Sequence, residues 1–285
     1  MHIPVLKEEV LHFLKPGENE NFIDCTAGFG GHSFSILEKN KPSGRVLGLE
    51  WDEEVFNFLK EKETERFIPV NCSYTQIEEV VEEKEFFPVS GILFDLGFSS
   101  FHVDKSKRGF SFMRNEKLDM RYSKDNPLTA YEIVNYYKEK DIAHILKKWG
   151  EEDYAKEIAS KIIDTRKESL IETTTELAEI VEKVLPKNNN QRINPATKTF
   201  QAFRIVVNGE LIGLEATLPR ALNILDKGGR LVVICFHGGE EKIVKKFLRF
   251  ANVKNLTPKP IIPTYKEVNK NIRSRSAKLF AVVKK

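Results

Sequence analysis

The sequence predicts an α/β fold, a doubly wound, Rossmann-like parallel sheet that a helical insertion interrupts. Two observations lead to this prediction. Apolar strand-like runs alternate with amphipathic helical segments over residues 21–96. A long stretch of charged helical segments follows, and an apolar run at 231–236 then resumes the sheet. Such alternation is typical of βαβ units, in which helices connect neighbouring parallel strands.

The first part of the chain predicts four strands. An amphipathic segment over 5–14 comes first and is ended by Pro16-Gly17, because these residues do not continue a helix. The predicted strands cover 21–24, 45–50, 67–70 and 91–96, and the predicted helices between them cover 32–39, 53–60 and 74–82.

Residues 104–190 carry no convincing strand. They predict charged amphipathic helices, and the pattern of the sheet returns only after them. The predicted helices cover 129–137, 139–148, 151–165, 174–184, 196–208, 210–225 and 240–250, and two further strands cover 231–236 and 277–283. We therefore predict a discontinuous sheet domain of residues 1–103 and 196–285. A helical domain of residues 104–195 would interrupt it and recognise the substrate.

The composition excludes several classes of protein. The chain has 285 residues, of which 41% are hydrophobic and 31% charged, so wholesale disorder is excluded. Its net charge of +3 is compatible with a nucleic-acid partner. Cys25, Cys72 and Cys235 are too far apart for a zinc site, and we expect no metal and three buried thiols. Without a signal-peptide pattern or a run of membrane-spanning length, we expect a soluble cytoplasmic protein.

The segment Phe22-Ile-Asp-Cys-Thr-Ala-Gly-Phe-Gly-Gly-His32 predicts a ligand site. The first strand ends at Asp24 and leads into a loop that holds Gly28, Gly30 and Gly31, after which a helix begins. Glycine allows a ligand to approach the backbone closely. The second strand ends at Glu50, where folds of this kind hold a ribose hydroxyl. Together these features favour a nucleoside-containing cofactor over a glycine turn without a ligand.

The spacing of the glycines narrows the choice of cofactor. A dinucleotide fingerprint would read G-x-G-x-x-G, but His32 and Ser33 follow Gly31 here. Asp24 would also repel a pyrophosphate at the start of the next helix. S-adenosylmethionine has a ribose diol, an ammonium and a sulfonium but no phosphate. The loop accordingly resembles motif I of the class I methyltransferases.

Further candidate residues follow the other strands. Asp95 ends the fourth strand and His237 follows the fifth, so both would meet Glu50 at one edge of the sheet. Amino-group methyltransferases often carry an acid or Asn at the position of Asp95, because an acceptor oxygen can hold an exocyclic amine in line with the methyl carbon. Tyr74 could lie against an adenine ring or could simply begin a helix. For His237, contact with the target base and orientation of a loop remain equally open.

A set of ordered motifs resembles one family over nearly the whole chain, from His2-Ile-Pro-Val to Arg273-Ser-Arg-Ser276. The motifs are Asp95-Leu-Gly-Phe-Ser-Ser100, Arg108-Gly-Phe-Ser-Phe112, Leu118-Asp-Met-Arg121, Pro195-Ala-Thr-Lys-Thr-Phe-Gln-Ala202, Arg204-Ile-Val-Val-Asn208 and Cys235-Phe-His237. In this order they resemble the bacterial small-subunit ribosomal RNA cytosine-N4 methyltransferase H family, also called the MraW family.

The resemblance implies a class I S-adenosylmethionine-dependent methyltransferase fold with a helical insertion. It also implies methyl transfer to N4 of a cytidine in the decoding region of 16S rRNA in the small ribosomal subunit. Asp95 is a candidate catalytic residue. The implied cofactor contacts are Gly30, Gly31, His32, Glu50, Tyr74, Asp95 and His102. The chain departs from the family pattern at Glu50 (usually Asp), His102 (often Gln), Asn194 (often His) and Gly238-Gly239 (usually Ser-Leu).

Recognition of the RNA would require cationic and aromatic side chains outside the sheet. Basic residues could contact phosphates, and phenylalanines near the fourth strand could stack an extruded base or pack in the core. The basic candidates are Lys105, Lys107, Arg108, Arg114, Arg121, Arg192, Lys198, Arg204, Lys242, Lys245, Lys246, Arg249, Arg273, Arg275 and Lys278; the aromatic ones are Phe98, Phe101, Phe110 and Phe112. The alternatives are a methyltransferase with another amino acceptor and a non-catalytic RNA-binding assembly factor.

Overall fold

The computed structural model describes residues 4–97, 100–185 and 194–285, and the chain divides into two compact units. The first unit comprises Met1–Gly97 and Leu211–Lys285, and the second comprises Phe98–Glu210. The units divide at 97/98 and 210/211, whereas the sequence predicted boundaries at 103/104 and 195/196. The helix Thr197–Asn208 therefore belongs to the second unit and not, as predicted, to the sheet domain.

The first unit is built on one sheet of seven strands. The strands are β1 (Phe22–Asp24), β2 (Val46–Glu50), β3 (Phe67–Asn71), β4 (Gly91–Asp95), β5 (Arg230–Cys235), β6 (Val253–Asn255) and β7 (Lys278–Lys284). Their order is β3-β2-β1-β4-β5-β7-β6, and β7 runs antiparallel to both of its neighbours. The order reverses between β1 and β4, and open α/β sheets bind ligands at such a switch point. The predicted class I, Rossmann-like fold is confirmed.

Helices account for most of the remaining described residues. They are α1 (Lys7–Leu14), α2 (Gly31–Lys39), α3 (Glu53–Lys60), α4 (Ile77–Glu83), α5 (Ser100–Asp104), α6 (Ala130–Tyr136), α7 (Glu139–Gly150), α8 (Ala155–Glu168), α9 (Thr174–Val184), α10 (Thr197–Asn208), α11 (Glu210–Ile224), α12 (Gly238–Phe250) and α13 (Tyr265–Lys270). Short 3-10 turns cover Tyr74–Gln76 and Ile272–Ser276. Among the described residues, no helix is both long and apolar enough to cross a membrane.

The two faces of the sheet bury different side chains, because neighbouring residues of a strand point to opposite faces. Phe22, Leu93 and Val232 pack with residues of α1, α2 and α3, and we call this the α1 face. Ile23 and Ile92 pack with residues of α4, α11 and α12 on the opposite face. The three cysteines are buried and free, as predicted.

The second unit is helical over its described residues and has its own apolar core. That core includes Leu118, Ile158, Leu177 and Phe203. Two of its helices begin with capping boxes, in which a threonine and a glutamate three residues later satisfy each other's free backbone N–H groups. The amphipathic patterns of the sequence therefore correspond to helices whose apolar faces pack together.

Two of the predicted phosphate-binding arginines are buried inside the second unit. Nη1 of Arg108 donates to the carbonyl oxygens of Arg121 and Tyr122, at 3.1 and 2.7 Å. Nε and Nη2 of Arg204 donate to the two carboxylate oxygens of Glu210, at 2.8 and 2.9 Å. The prediction was wrong for both residues, since their charges are used within the fold. Arg192 and Phe98 lie outside the described residues.

The buried pair predicts a large effect on stability. Arg204→Ala leaves the Glu210 carboxylate buried without its bidentate partner, and we expect the free energy of unfolding to fall by about 3–5 kcal/mol in urea denaturation. Lys147→Ala is the control, because its ion pair with Asp153 is exposed and should contribute nothing measurable. A loss below about 1 kcal/mol for Arg204→Ala would contradict the assignment of Arg204 to a structural role.

Candidate functional site

Three acidic residues end neighbouring strands at the switch point of the sheet. Asp24 ends β1, Glu50 ends β2 and Asp95 ends β4. Asp24 lies opposite Gly48 and Leu93, so Glu50 and Asp95 each lie two residues further along their strands. Because side chains two residues apart share a face, all three project on the α1 face, with Glu50 and Asp95 about 7 Å closer to the edge.

Asp24 organises the glycine loop. The Ser33 hydroxyl donates to its Oδ2 at 2.7 Å and the Thr26 N–H donates to its Oδ1 at 3.2 Å. Burial raises the pKa of Asp24, and His32 and these hydrogen bonds oppose the rise only in part. Both carboxylate oxygens are thus engaged by the loop, so Asp24 fixes the start of α2.

The loop requires glycine for steric reasons. Gly28 and Gly30 have φ angles of 53° and 82°, a region that other residues rarely adopt. A Cβ atom at Gly30 would lie 2.3 Å from the ring of Phe34, and one at Gly31 would lie 2.7 Å from Pro4. The backbone at the start of α2 is therefore held against its neighbours with no room for side chains.

Glu50 is bonded to this loop by its carboxylate. Its Oε2 accepts the N–H of Gly28 at 2.9 Å and its Oε1 accepts the N–H of Asp52 at 2.8 Å. Burial raises the pKa of Glu50 to about 7, and the two hydrogen bonds offset only part of the effect. Each oxygen retains a lone pair, so the carboxylate can also accept hydrogen bonds from a diol. The glutamate that stands in place of the expected Asp thus reaches the backbone of the loop.

Asp95 and His32 form the polar pair next to the loop. His32 Nε2 lies 3.5 Å from Asp95 Oδ2, an ion-pair distance. Burial lowers the pKa of His32, but the Asp95 carboxylate and Asp24 outweigh burial and raise it overall. Within the described part of the chain, Asp95 Oδ1 is buried and has no hydrogen-bond partner. Such an oxygen is costly unless a ligand satisfies it.

Thr26 joins the loop to β4, and the sequence prediction missed it. Its hydroxyl oxygen accepts the backbone N–H of Asp95 at 2.7 Å, which fixes the end of β4 against the first residues of the loop. The only sequence signal for this contact is that a hydroxyl stands two residues after Asp24. That signal does not reveal a partner so distant in the chain.

Tyr74 and His102 occupy different units. Tyr74 begins the 3-10 turn after β3, is half-buried, and its ring meets that of Phe94 edge to face at 5.7 Å. His102 is buried in the second unit, 5.0 Å from the ring of Phe110 and 4.9 Å from that of Tyr122. Of the predicted cofactor contacts, the first unit contains Gly30, Gly31, His32, Glu50, Tyr74 and Asp95, whereas His102 belongs to the second unit. A cofactor contact at His102 stays a prediction.

His237 is positioned by the helix that follows it. Its Nε2 lies 3.1 Å from Glu240 Oε1, while Glu240 Oε2 accepts the backbone N–H groups of Phe236 at 2.6 Å and His237 at 3.2 Å. The buried Glu240 thus holds His237 at the carboxyl end of β5, which neighbours β4. The Gly238-Gly239 departure leaves this glutamate in place.

The acceptor oxygens of the site fit the donor groups of S-adenosylmethionine. A diol would find an acceptor in Glu50, and an ammonium or amino group would satisfy the unpartnered oxygen of Asp95. A pyrophosphate would instead meet carboxylates at the ends of β1, β2 and β4. At Gly28 an added Cβ atom would have only the Thr26 carbonyl oxygen near it, at 3.8 Å, so the backbone there is open to a ligand.

A substitution at Gly30 tests the steric requirement of the loop. Gly30→Ala combines the strain of a positive φ with a clash against the Phe34 ring, so we expect lower stability and at least tenfold weaker binding of S-adenosylmethionine by calorimetry. Gly228→Ala is the matched control, because its φ is 81° and no atom lies within 4 Å of the added carbon. Equal cofactor affinity in both variants would remove Gly30 from the site.

The raised pKa of Glu50 predicts a pH dependence. Between its ordinary value of 4.5 and about 7, the folded protein binds this proton more tightly than the unfolded chain, so stability without cofactor should fall as pH rises. Hydrogen bonds from a diol favour the carboxylate. Cofactor affinity should therefore rise about tenfold from pH 6 to pH 8, with proton release in calorimetry below pH 7. An affinity independent of pH, or one that falls, would contradict this role of Glu50.

Comparison with known proteins gives close relatives over almost the whole chain. The chain is 45% identical over 288 residues to ribosomal RNA small subunit methyltransferase H of Sulfurihydrogenibium azorense, and the alignment covers 98% of this chain and 97% of the relative. The protein of the same name from Dictyoglomus turgidum is 42% identical over 285 residues, with 98% and 96% coverage. The model of the MraW methylase family matches residues 1–285. This chain therefore belongs to the MraW methylase family.

Proposed function

We propose that this protein transfers a methyl group from S-adenosylmethionine to the N4 amino group of a cytidine in the decoding region of 16S rRNA. Its relatives are named ribosomal RNA small subunit methyltransferase H, which supports an rRNA substrate in the small subunit. Such a substrate implies that the protein works in the cytoplasm.

One observation supports an amino group as the methyl acceptor. Asp95 Oδ1 is buried at the end of β4 and has no hydrogen-bond partner among the described residues. Two N–H donors could satisfy it, the amino group of the methionine moiety and the amino group of the target base. We assign the first as its main partner and the second as a candidate catalytic contact.

The protein's own residues would bind and orient the reactants. When bound, S-adenosylmethionine supplies an electrophilic methyl group on a sulfonium. Glu50 would accept the ribose hydroxyls, and Gly30 and Gly31 would contact the cofactor through their backbone at the start of α2. The N4 lone pair of cytosine is delocalised into the ring, so orientation of the amine is the main contribution that an enzyme can make. The nitrogen gains the methyl group, a proton leaves to water, and S-adenosylhomocysteine is the second product.

We further propose that the second unit recognises the RNA. Lys105, Lys107 and Lys198 are exposed there, and cationic side chains on a helical surface can contact phosphates without reading sequence. Arg108 and Arg204 do not belong to this surface, because both are buried.

Mass mapping of the methylated nucleoside tests the proposed function. Small ribosomal subunits from a strain that lacks the gene are incubated with the purified protein and labelled cofactor, and the rRNA is then digested. We expect the label on N4 of one cytidine of the decoding region. Label on another base or on a protein would identify a different amino acceptor. Cofactor binding without any transfer would instead indicate a non-catalytic RNA-binding factor.

Asp95→Asn distinguishes the two partners of Asp95. We expect affinity for S-adenosylmethionine to fall and saturating cofactor to restore most of the single-turnover rate. The pKa of His32 should also fall, because the carboxylate that raises it is gone. Unchanged affinity with a rate about 10²–10³-fold lower would show that Asp95 acts on the developing charge of the amine.

A further inference from the structure

The segment 258–276 of the first unit lies at the side of the sheet where the carboxyl ends of the parallel strands form the candidate site. It connects β6 to β7, and β7 pairs antiparallel with β5, with Lys278 opposite Cys235. The segment thus enters β7 beside the carboxyl end of β5, at the same edge at which Glu50 and Asp95 end their strands. Any chain that presents a base at the switch point would pass near this edge.

Two contacts connect the segment with the glycine loop. Glu267 Oε1 accepts the backbone N–H of Leu6 at 2.7 Å, which holds α13 against the start of α1. Two residues before Leu6, Pro4 lies so close to Gly31 that an added Cβ atom would be 2.7 Å from it. The segment is therefore a near neighbour of the predicted cofactor contacts, and all of these residues belong to the first unit.

The exposed charge of the segment is positive. Its basic residues are Lys259, Lys266, Lys270, Arg273 and Arg275, whereas Glu267 is its only acidic residue. The five basic residues are exposed, and the Glu267 carboxylate is engaged by Leu6. With five positive charges and one negative charge, the segment has a net charge of +4. This charge would attract a polyanion and repel a basic surface.

Large apolar side chains stand among these cations. Tyr265 is 83% exposed and Ile272 is 65% exposed, so neither contributes to the core. Tyr265 directly precedes Lys266 and begins α13. A tyrosine that is mostly exposed and stands next to a lysine can stack a nucleobase while its neighbours contact phosphates, the combination that single-stranded RNA sites use.

We propose that the segment 258–276 is a docking surface for single-stranded RNA, with Tyr265 as a stacking platform and Lys266 and Lys270 as phosphate contacts. This inference rests on the proposed function, because the RNA is then the strand that carries the target cytidine. It adds a contact surface in the sheet unit to the surface proposed for the helical unit.

Charge-reversal variants test the phosphate contacts. The first variant is the full-length protein that carries both Lys266→Glu and Lys270→Glu. Its affinity for small-subunit rRNA is measured at several salt concentrations and compared with that of the wild type. The matched control is Lys39→Glu with Lys227→Glu, which reverses two exposed charges at the opposite edge of the sheet. We expect the slope of log K against log salt to become shallower by about 1.4–1.8 only in the first variant. Calorimetry with S-adenosylmethionine and a thermal melt establish that both variants are folded and still bind the cofactor.

Variants of Tyr265 test stacking independently of charge. Tyr265→Ala should weaken binding of the rRNA about tenfold without changing the salt slope, and Tyr265→Phe should restore it. Sedimentation of both variants at several concentrations accompanies the binding assay, because exposed apolar residues can instead join two copies of the chain. Altered self-association with unchanged rRNA affinity would overturn the proposal.

The remaining outcomes separate this inference from the proposed function. If the wild-type protein methylates rRNA but the variants of the segment bind it as tightly as the wild type, the docking surface is wrong and the function stands. Equal losses in the charge-reversal variant and its control would also overturn the surface, since the effect would then be unspecific. If the wild-type protein neither binds nor methylates small-subunit rRNA, both the proposed function and this surface fall.

Discussion

The hydrogen bonds between carboxylates and the backbone of the glycine loop are the constraint on which the site depends. Asp24 holds the loop at Thr26 and Ser33, and Glu50 holds it at Gly28. These bonds cross from β1 to α2 and from β2 to the loop, so the ends of two strands and the start of a helix become one rigid surface. A flexible loop would lose conformational entropy when a ligand binds. Because this loop is already fixed, ligand binding requires less ordering and is more favourable.

The candidate site contains two carboxyl groups whose ionised form the fold disfavours. Burial raises the pKa of both Asp24 and Glu50, which means that the folded protein disfavours the ionised carboxylates. A ligand that brings hydroxyl donors and a positive charge relieves this penalty, whereas a phosphate would increase it. The same electrostatics that destabilise the protein without cofactor therefore select for a cofactor of the S-adenosylmethionine type.

The sequence was most informative where local pattern and chemistry coincide. Alternation of apolar runs predicted β1 to β5 and β7, and the glycine spacing with Glu50 predicted the cofactor loop. The strand β6 was missed because it has three residues and none of them is buried, so no apolar run marks it. Arg108 and Arg204 were assigned to RNA because sequence shows a charge but not its partner. Thr26 was missed because its partner, Asp95, lies 69 residues away and only the fold brings them together.

The position of the helical unit within the chain has a consequence for biosynthesis. β4 ends at Asp95 and its partner β5 begins at Arg230, so the whole second unit is translated between two paired strands. While the ribosome makes the second unit, the nascent first unit has β4 as an open edge, and open edges can pair with other chains. The hydrogen bond from the Leu6 N–H to Glu267 likewise cannot form until Glu267, 261 residues later, has been synthesised. The first unit can therefore complete its fold only near the end of translation, which makes shielding of the β4 edge a requirement on the nascent chain.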